Sequence, residues 1–326
     1  MSAAAAPAGR SDRQGSAPKV VAMGGGHGLA ASLSALRHLT DQLTAVVTVA
    51  DDGGSSGRLR RELGVLPPGD LRMALAALCG DGEWGRTWRD VLQHRFASQG
   101  ELHSHSVGNL LIVALWELLG DTVEGLDLVG RLLGARGRVL PMAAVPLDIE
   151  AVVLGLDPGD PTSATVVHGQ VAVATTAGRV ASVRLVPDDP PGCPEAVKAV
   201  LDADWVVLGP GSWFTSVMPH LLVPDLRRAL YQTTARRLIT LNLTTQLGET
   251  EGLSAENHLE ALFLHAPELM VDVVLADPAV VGDRRSLEQV CHGAGARLVV
   301  SSVASSSRAG VHDELRLAAA YRDVLI

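Results

Sequence analysis

Three glycine-rich loops contain the residues of this sequence that could bind a ligand. They read GGGHG at 24–28, DDGGSSG at 51–57 and GPGSWFTS at 209–216. Glycines let a backbone approach a phosphate closely, and the helix that follows offers free N–H groups and the positive end of its dipole. Because each loop follows an apolar run typical of a strand, the pattern favours binding of a phosphate-bearing molecule.

The first loop matches neither of the common phosphate-binding motifs. Counted from Gly24, Leu29 stands where a dinucleotide-binding GxGxxG loop has its third glycine or alanine, and no GK[ST] sequence follows as in a Walker A loop. The predicted ligand therefore bears a phosphate without being specifically a dinucleotide or ATP with Mg²⁺. A tight packing turn is the alternative, although three adjacent glycines cost backbone entropy on folding.

The second loop combines acids with hydroxyls. Asp51 and Asp52 follow the second strand of a βαβ pattern, where an acid commonly receives ribose hydroxyls. They could instead hold a cation or cap the next helix. Ser55 and Ser56 offer hydroxyls suited to an anion. Three arginines could add charge-assisted hydrogen bonds, and they are Arg58, Arg60 and Arg61.

The third loop repeats the order of strand, glycine turn, hydroxyls and helix. Gly211, Ser212 and Thr215 are its candidate binding residues. Two such loops at one sheet edge could hold the two ends of a diphosphate. Trp213 could stack on a base or a sugar, but a lone tryptophan is more often a packing residue.

Two asparagines stand in otherwise apolar surroundings. Asn109 lies near the start of an apolar helical pattern, and Asn242 follows an apolar strand pattern. A buried amide needs hydrogen-bond partners, so each asparagine either ties loops together or contacts a ligand.

Several other functions lack their signatures in the sequence. The net charge of −9, from 27 basic and 36 acidic residues, gives no general basic surface for nucleic acid. Three distant cysteines form no metal knuckle or disulfide framework, which is typical of a reducing cytosol. His103 and His105 have no third metal ligand nearby, so we predict no metal site. No HExxH motif and no apolar run long enough for a membrane span occurs.

The order of predicted elements indicates an α/β fold. A strand, a glycine turn, a helix and a second strand within residues 19–50 form a βαβ opening, which implies a mainly parallel sheet. At about 136–188 the pattern changes to short strands separated by turns, which predicts a β-rich insert. We predict one Rossmann-like, doubly wound domain over 19–326, preceded by a disordered tail at 1–18.

Six motifs occur in order along the chain. They are GGGHGL at 24–29, ADDGGSSGRLRRELGVLPPGDLR at 50–72, GNLL at 108–111, RGRVLP at 136–141, VLGPGSWFTS at 207–216 and GETEG at 248–252. Together they closely resemble the bacterial YvcK-type gluconeogenesis factor family, whose relatives include 2-phospho-L-lactate transferase. The resemblance runs from Lys19 to about Leu317, and the ADDGGSSGRLR and LPPGD combination is more specific than any glycine loop.

The resemblance implies a Rossmann-like fold that binds UDP-N-acetylglucosamine or another UDP-sugar, with NAD as an alternative ligand and no required cofactor. It implies a cytoplasmic regulator more than an enzyme, which links carbon metabolism to cell-wall precursor supply (peptidoglycan) and cell shape. A homo-oligomer and an amino-sugar synthesis enzyme as partner fit this function. The binding residues carried over by motif, completed by His27 and Asp52 from the same loops, are Gly25, Gly26, His27, Gly28, Asp51, Asp52, Ser55, Ser56, Asn109, Gly211, Ser212, Thr215 and Asn242.

Two positions depart from the pattern of the family. His27 stands where many members have Thr, and Val311 precedes His312 and Asp313 where many members have Arg. The first change replaces a hydroxyl by an imidazole. The second leaves a basic contact to the ligand unassigned unless Arg308 supplies it.

Two other functions remain as alternatives. A Mg²⁺-dependent enzyme like 2-phospho-L-lactate transferase would join a phosphate-containing group to a deazaflavin alcohol, with Asp51 and Asp52 as metal ligands. Against it, the transferases resemble a different acidic, aromatic-containing second loop and a GPSN-like sequence in place of GPGS at 209–212. A nicotinamide oxidoreductase is opposed by the broken GxGxxG motif and by the lack of an evident acid–base pair.

Overall fold

The computed structural model describes residues 17–160, 162–244 and 254–326. Nearly all of the predicted tail at 1–18 and the GETEG motif at 248–252 lie outside the described residues. Within the described ranges, every helix is too short or too polar to cross a membrane.

The strands of the described chain belong to two sheets. They are β1 (Val20–Gly24), β2 (Leu43–Val47), β3 (Arg138–Pro141), β4 (Asp148–Leu154), β5 (Ala164–His168), β6 (Arg179–Val186), β7 (Trp205–Leu208), β8 (Arg236–Thr240), β9 (Val273–Ala276) and β10 (Arg297–Val300). One sheet has seven parallel strands in the order β10-β9-β8-β7-β1-β2-β3. The other has three antiparallel strands in the order β5-β4-β6. The predicted α/β, Rossmann-like class with a mainly parallel sheet is confirmed.

Most helices of the described chain connect strands of the parallel sheet. The helices are α1 (Gly26–Leu36), α2 (Gly54–Leu63), α3 (Gly69–Leu78), α4 (Glu83–Gln93), α5 (Val107–Leu119), α6 (Thr122–Leu133), α7 (Gln170–Ala174), α8 (Pro194–Asp202), α9 (Pro219–Leu222), α10 (Pro224–Gln232), α11 (Ala255–His265), α12 (Arg284–Gly293) and α13 (Glu314–Leu325). Of these, α7 lies in the insert and α13 follows the last strand. Side-chain caps begin several of them, as Asp121 does for α6 and Asp313 for α13. Glycines in the left-handed conformation end others, as Gly64 does for α2 and Gly120 for α5.

The strand order reverses between β1 and β7. The chain moves from β1 through β2 to β3 on one side, then returns to β7 beside β1 and continues through β8 and β9 to β10. β1 and β7 are buried along their whole length. In an open parallel sheet, the crevice at such a reversal lies beyond the carboxyl ends of the two strands. The loops at 24–28 and 209–216 begin at these two ends.

Two limits of the sequence-based elements differ from the structure. The apolar run at 44–50 predicts one strand, but β2 ends at Val47, while Val49 and Ala50 continue as buried loop. An apolar run indicates burial, and the buried segment here extends beyond the last residue that pairs in the strand. The predicted insert begins at about residue 136, yet β3 pairs parallel with β2 and is part of the main sheet. The antiparallel sheet spans β4 to β6.

Candidate functional site

The first and third loops meet at the reversal point. A Cβ atom on Gly28 would lie 2.2 Å from the carbonyl oxygen of Pro210, which is a backbone atom that cannot move aside alone. Glycine is therefore required at this position by the close approach of the two loops. Ser32, one turn further along α1, donates a hydrogen bond of 2.9 Å to the Gly209 carbonyl. The structure thus brings two of the predicted binding loops together at the β1–β7 crevice.

The end of β8 fixes the third loop. The Asn242 side chain accepts a hydrogen bond of 2.8 Å from the Gly211 N–H and donates one of 2.7 Å to the Gly211 carbonyl. Ser212 and Thr215 are joined by a short hydroxyl–hydroxyl contact. Of the two sequence-based interpretations of Asn242, the structure shows the tie between loops.

Trp213 is a packing residue in this structure. It begins a π-helical turn, Trp213–Val217, and is only 2% exposed. Its ring lies 5.8 Å from the ring of His258, measured between centroids. A side chain buried to this extent does not offer a face for stacking on a base or sugar, so the packing alternative describes it.

The two aspartates of the second loop have different partners. Asp51 accepts a hydrogen bond of 2.9 Å from the Gly53 N–H, and burial raises the pKa of its carboxyl group. The Asp52 carboxylate instead accepts a hydrogen bond of 3.0 Å from the Val171 N–H, at the start of α7 in the insert. Asp51 is therefore held by the second loop itself, whereas Asp52 holds the insert against that loop.

A buried polar network lies behind the second loop. Asn109, only 1% exposed, donates from its amide nitrogen to the hydroxyls of Ser55 and Ser56, at 3.1 and 3.5 Å. Its amide oxygen accepts a hydrogen bond of 2.9 Å from Arg72 Nε. Ser55 also bonds His105 Nδ1 at 3.0 Å. The network joins α2, α3 and α5, so Asn109 ties these elements together behind the loop.

Asp70 connects the first loop to the second and was not among the sequence-predicted site residues. It accepts a hydrogen bond from the Gly26 N–H, and a Cβ on Gly25 would lie 2.5 Å from its Oδ2 atom. Burial, together with the negative charge of Asp51, raises the pKa of Asp70 to about 7. Near neutral pH this carboxyl group therefore exists in both protonation states, as a hydrogen-bond donor and as an acceptor.

The basic residues of the second loop serve the surrounding structure. Arg58 donates to the carbonyls of Glu101 and His103 at 3.1 and 2.7 Å. Arg60 pairs with Asp148 at 2.8 Å. Arg61 is 3.3 Å from the Asp52 carbonyl. The cation that the structure places against the site is Arg72, which the sequence reading missed. Its signal was a charged residue inside the otherwise apolar helix sequence GDLRMALAAL.

Two cavities open from the first loop. The larger, about 1090 Å³, runs between α1, the α3–α4 region and the segment before α13. The smaller, about 180 Å³, lies between the first and third loops and the same C-terminal segment. His27 is exposed and lines both cavities. A ligand of elongated shape could therefore extend from one cavity into the other past the start of α1.

Metal ligands are sparse at this site. Among residues 17–160, 162–244 and 254–326, no cluster of three or more His, Cys, Asp or Glu side chains could hold a metal ion. The donor set nearest the loops is the carboxyl pair Asp51 and Asp70. Its raised pKa values reflect burial of the two acids beside each other.

Comparison with known proteins identifies the family of the chain. The family model described as 2-phospho-L-lactate transferase CofD matches residues 20–303. A Mycobacterium tuberculosis protein is 54% identical over 302 residues, which are 92% of this chain and 88% of that protein. A Halalkalibacterium halodurans protein named gluconeogenesis factor is 39% identical over 264 residues, which are 81% of this chain and 79% of that protein. The chain belongs to this gluconeogenesis factor family.

A solved structure of the family shares the fold. The crystal structure of a UPF0052 family protein from Bacillus halodurans superposes with a TM-score of 0.82 at 33% sequence identity. The match covers 92% of this chain and 97% of that one. Both the parallel sheet and the loops at its reversal point therefore fall within a region of shared architecture.

His27 and Val311, the two positions that the resemblance singled out, line the same cavity. Arg308 and Val311 both line the larger cavity, next to His27 and His312. Burial lowers the pKa of His312 to about 4, so its imidazole is neutral near pH 7. Arg308 thus supplies a positive charge on the wall where Val311 brings none.

Proposed function

We propose that this protein binds a UDP-sugar of the UDP-N-acetylglucosamine type and acts as a regulator that links carbon metabolism to cell-wall precursor supply and cell shape. The observation that carries the proposal is the meeting of two glycine loops at the reversal point between β1 and β7, where Gly28 packs directly against Pro210. Open parallel sheets bind nucleotides in this crevice. The name gluconeogenesis factor, which the relatives carry, supports the link to carbon metabolism.

The site offers a group for each part of such a ligand. The start of α1, with Gly26 and His27, and the third loop, with Gly211 and Ser212, would hold the diphosphate by backbone and hydroxyl donors. Asp51 would accept ribose hydroxyls at the end of the second strand. The volume of the larger cavity is ample for a sugar.

Regulation would follow from different affinities of the ligand for two conformations. A ligand that binds both conformations equally shifts no equilibrium. In the proposal the bound state is read by a partner, for which an enzyme of amino-sugar synthesis is our choice, and the protein acts as a homo-oligomer. Since Asp52 joins the second loop to the insert, the insert is the described element best connected to the site.

Calorimetric titration tests the proposal. Purified protein is titrated with UDP-N-acetylglucosamine, with NAD and GDP as comparators, each with and without Mg²⁺. We expect the UDP-sugar to bind without a metal and without turnover. The variant Asn242→Ala, which frees the third loop from β8, should weaken binding, whereas Asn257→Ala on exposed α11 should not. Absence of UDP-sugar binding by folded protein would reject the proposal.

The alternative function is a transferase related to 2-phospho-L-lactate transferase. The description of the matching family model and the carboxyl pair Asp51 and Asp70 favour it. The same titration separates the two functions. Binding of GDP-type ligands only in the presence of Mg²⁺ would support the transferase, and a deazaflavin alcohol would then be tested as acceptor.

A further inference from the structure

Arg72 is a buried cation with an unsatisfied donor. Only 3% of the residue is exposed, yet it lines the larger cavity. Its Nε atom donates to Asn109, but its buried Nη1 atom has no hydrogen-bond partner among the described residues. A buried guanidinium with an unpaired N–H group is unfavourable because the lost hydration is not replaced.

No carboxylate of the described chain neutralises Arg72 by direct contact. Asp70 and Asp51 attract it from a distance, but neither forms an ion pair within 4 Å. Burial lowers the pKa of Arg72 to about 10, and the positive charge of Arg95 lowers it further in the same sense. Two guanidinium groups that repel each other at a cavity wall would both be stabilised by an anion placed between them.

The other arginines on this cavity near α1 and α4 have protein partners. Arg37 pairs with Asp81 at 2.8 Å and Glu314 at 3.1 Å. Arg89 donates to the carbonyl groups of Ala76 and Cys79. Arg95 makes one hydrogen bond of 2.9 Å, to the Ser104 carbonyl, and no ion pair within the described ranges. On this side of the cavity, the positive charge that remains available to a ligand therefore lies at Arg72 and Arg95, whereas Arg308 lies on the C-terminal segment.

We propose that Arg72 and Arg95 form an anion subsite of the larger cavity that takes a phosphate group. Asn109 orients Arg72 through Nε, and the guanidinium edge left free by this contact would bind phosphate oxygens. The phosphate could come from the diphosphate of the nucleotide, in which case the inference rests on the proposed function. It could equally come from a second phosphorylated molecule bound beside the nucleotide.

The test compares wild-type protein with Arg72→Gln and with Arg228→Gln, an exposed arginine on α10 distant from the cavity. Inorganic pyrophosphate, UDP and uridine are titrated into each protein. We expect Arg72→Gln to weaken pyrophosphate binding by about tenfold or more, as loss of a charge-assisted contact does. Uridine, which has no phosphate, should bind all three proteins equally, and Arg228→Gln should match wild type.

The arms of the test separate the source of the phosphate. If pyrophosphate and UDP compete and both lose affinity in Arg72→Gln, the nucleotide supplies the phosphate. If pyrophosphate binds alongside UDP and only pyrophosphate is weakened, a second molecule supplies it. If the protein binds pyrophosphate through Arg72 but does not bind UDP-N-acetylglucosamine, the subsite is supported and the proposed function is rejected.

If folded Arg72→Gln binds pyrophosphate and UDP as wild type does, the subsite is overturned. It is also overturned if wild-type protein binds no pyrophosphate and Arg72→Gln binds UDP as tightly as wild type. Wild-type protein that binds none of the probes also overturns it. Because Arg72 is buried, Arg72→Gln could fail to fold. Arg95→Gln then gives the same comparison from an exposed residue, with several-fold weaker pyrophosphate binding expected, and Arg72→Lys should restore part of the affinity by retaining the charge.

Discussion

The edge of the parallel sheet where the strand order reverses and the antiparallel insert differ in the kind of side chain that they bury. Behind the second loop, Asp70, Arg72 and Asn109 are buried polar groups inside α3 and α5. In the insert, β4 alternates buried Ile149, Ala151 and Val153 with half-buried residues, and its largely buried Glu150 is paired with His168 and Arg184. Buried polar groups are costly unless partnered, and under the proposed function their concentration at this edge is where the fold would serve a ligand.

The two regions touch through neighbouring residues of one loop. Asp51 belongs to the buried edge, while Asp52 accepts from the Val171 N–H of the insert. A Cβ on Gly169, at the end of β5, would lie 2.2 Å from Asp52 Oδ2, so the contact is close. Single substitutions can therefore be chosen that disturb either the edge of the parallel sheet or the insert without disturbing the other.

The largest effect is expected from Gly28→Ala at the meeting of the two loops. The added methyl group would overlap the Pro210 carbonyl and force the loops apart, at a cost of about 3 kcal/mol in the free energy of unfolding. Nucleotide binding should fall with it. Urea denaturation measures the cost. Gly293→Ala, where nothing lies within 4 Å, is the control and should stay near wild type. Equal stability of both variants would refute the close approach.

The next effect concerns the pH dependence of stability through Asp70. Its pKa is raised from the ordinary 3.8 to about 7, so between these values the folded chain holds a proton that the unfolded chain releases. Stability from this group is present below about pH 4 and is lost as the pH rises through about 7. In wild type, this group lowers the free energy of unfolding by roughly 2 kcal/mol between pH 5 and pH 8, and Asp70→Asn should abolish that decrease.

Chemical denaturation at several pH values measures this slope. Asp90→Asn, which removes an exposed carboxylate from the wall of the larger cavity, controls for the loss of one negative charge. The account of Asp70 would be wrong if the two variants changed the slope alike.

A smaller effect is expected from Asn109→Ala in the buried network. Truncation leaves Arg72 Nε and the Ser55 hydroxyl without this partner, which should cost about 1–2 kcal/mol of stability. Asn257→Ala, an exposed capping residue of α11, should cost less than about 1 kcal/mol. Thermal unfolding compares the stability of the two variants. A larger loss of stability in Asn257→Ala than in Asn109→Ala would contradict the contrast between buried and exposed amides.

The smallest effect is expected in the insert. Arg184 has a side chain that is 59% exposed, and it pairs with the exposed Asp188 and with Glu150, which is 12% exposed and keeps His168 as a second partner. Exposed ion pairs contribute little, so Arg184→Gln should change stability by less than about 1 kcal/mol and leave nucleotide affinity unchanged. A drop in affinity would show that the insert contributes directly to the site.

The sequence predicts the elements better than the polar contacts between them. The spacing of apolar residues and the positions of glycine turns indicate the βαβ opening and the change to an antiparallel insert, because these patterns are local in the sequence. α12 and β10 were not predicted, since Arg297–Val300 is short and only half-buried at an edge of the sheet. The pairing of Arg72 with Asn109 and of Asp70 with Gly26 joins residues from different elements, so no local pattern contains it.

Hydrogen–deuterium exchange with and without UDP-N-acetylglucosamine tests the central claim most directly, because it reports where the ligand acts. The account predicts slower exchange at the amides of residues 25–29 and 211–217, at the ends of β1 and β7. Exposed strand β5 of the insert should change least. Protection confined to β4–β6, or binding without protection at either glycine loop, would contradict a nucleotide site at the reversal point.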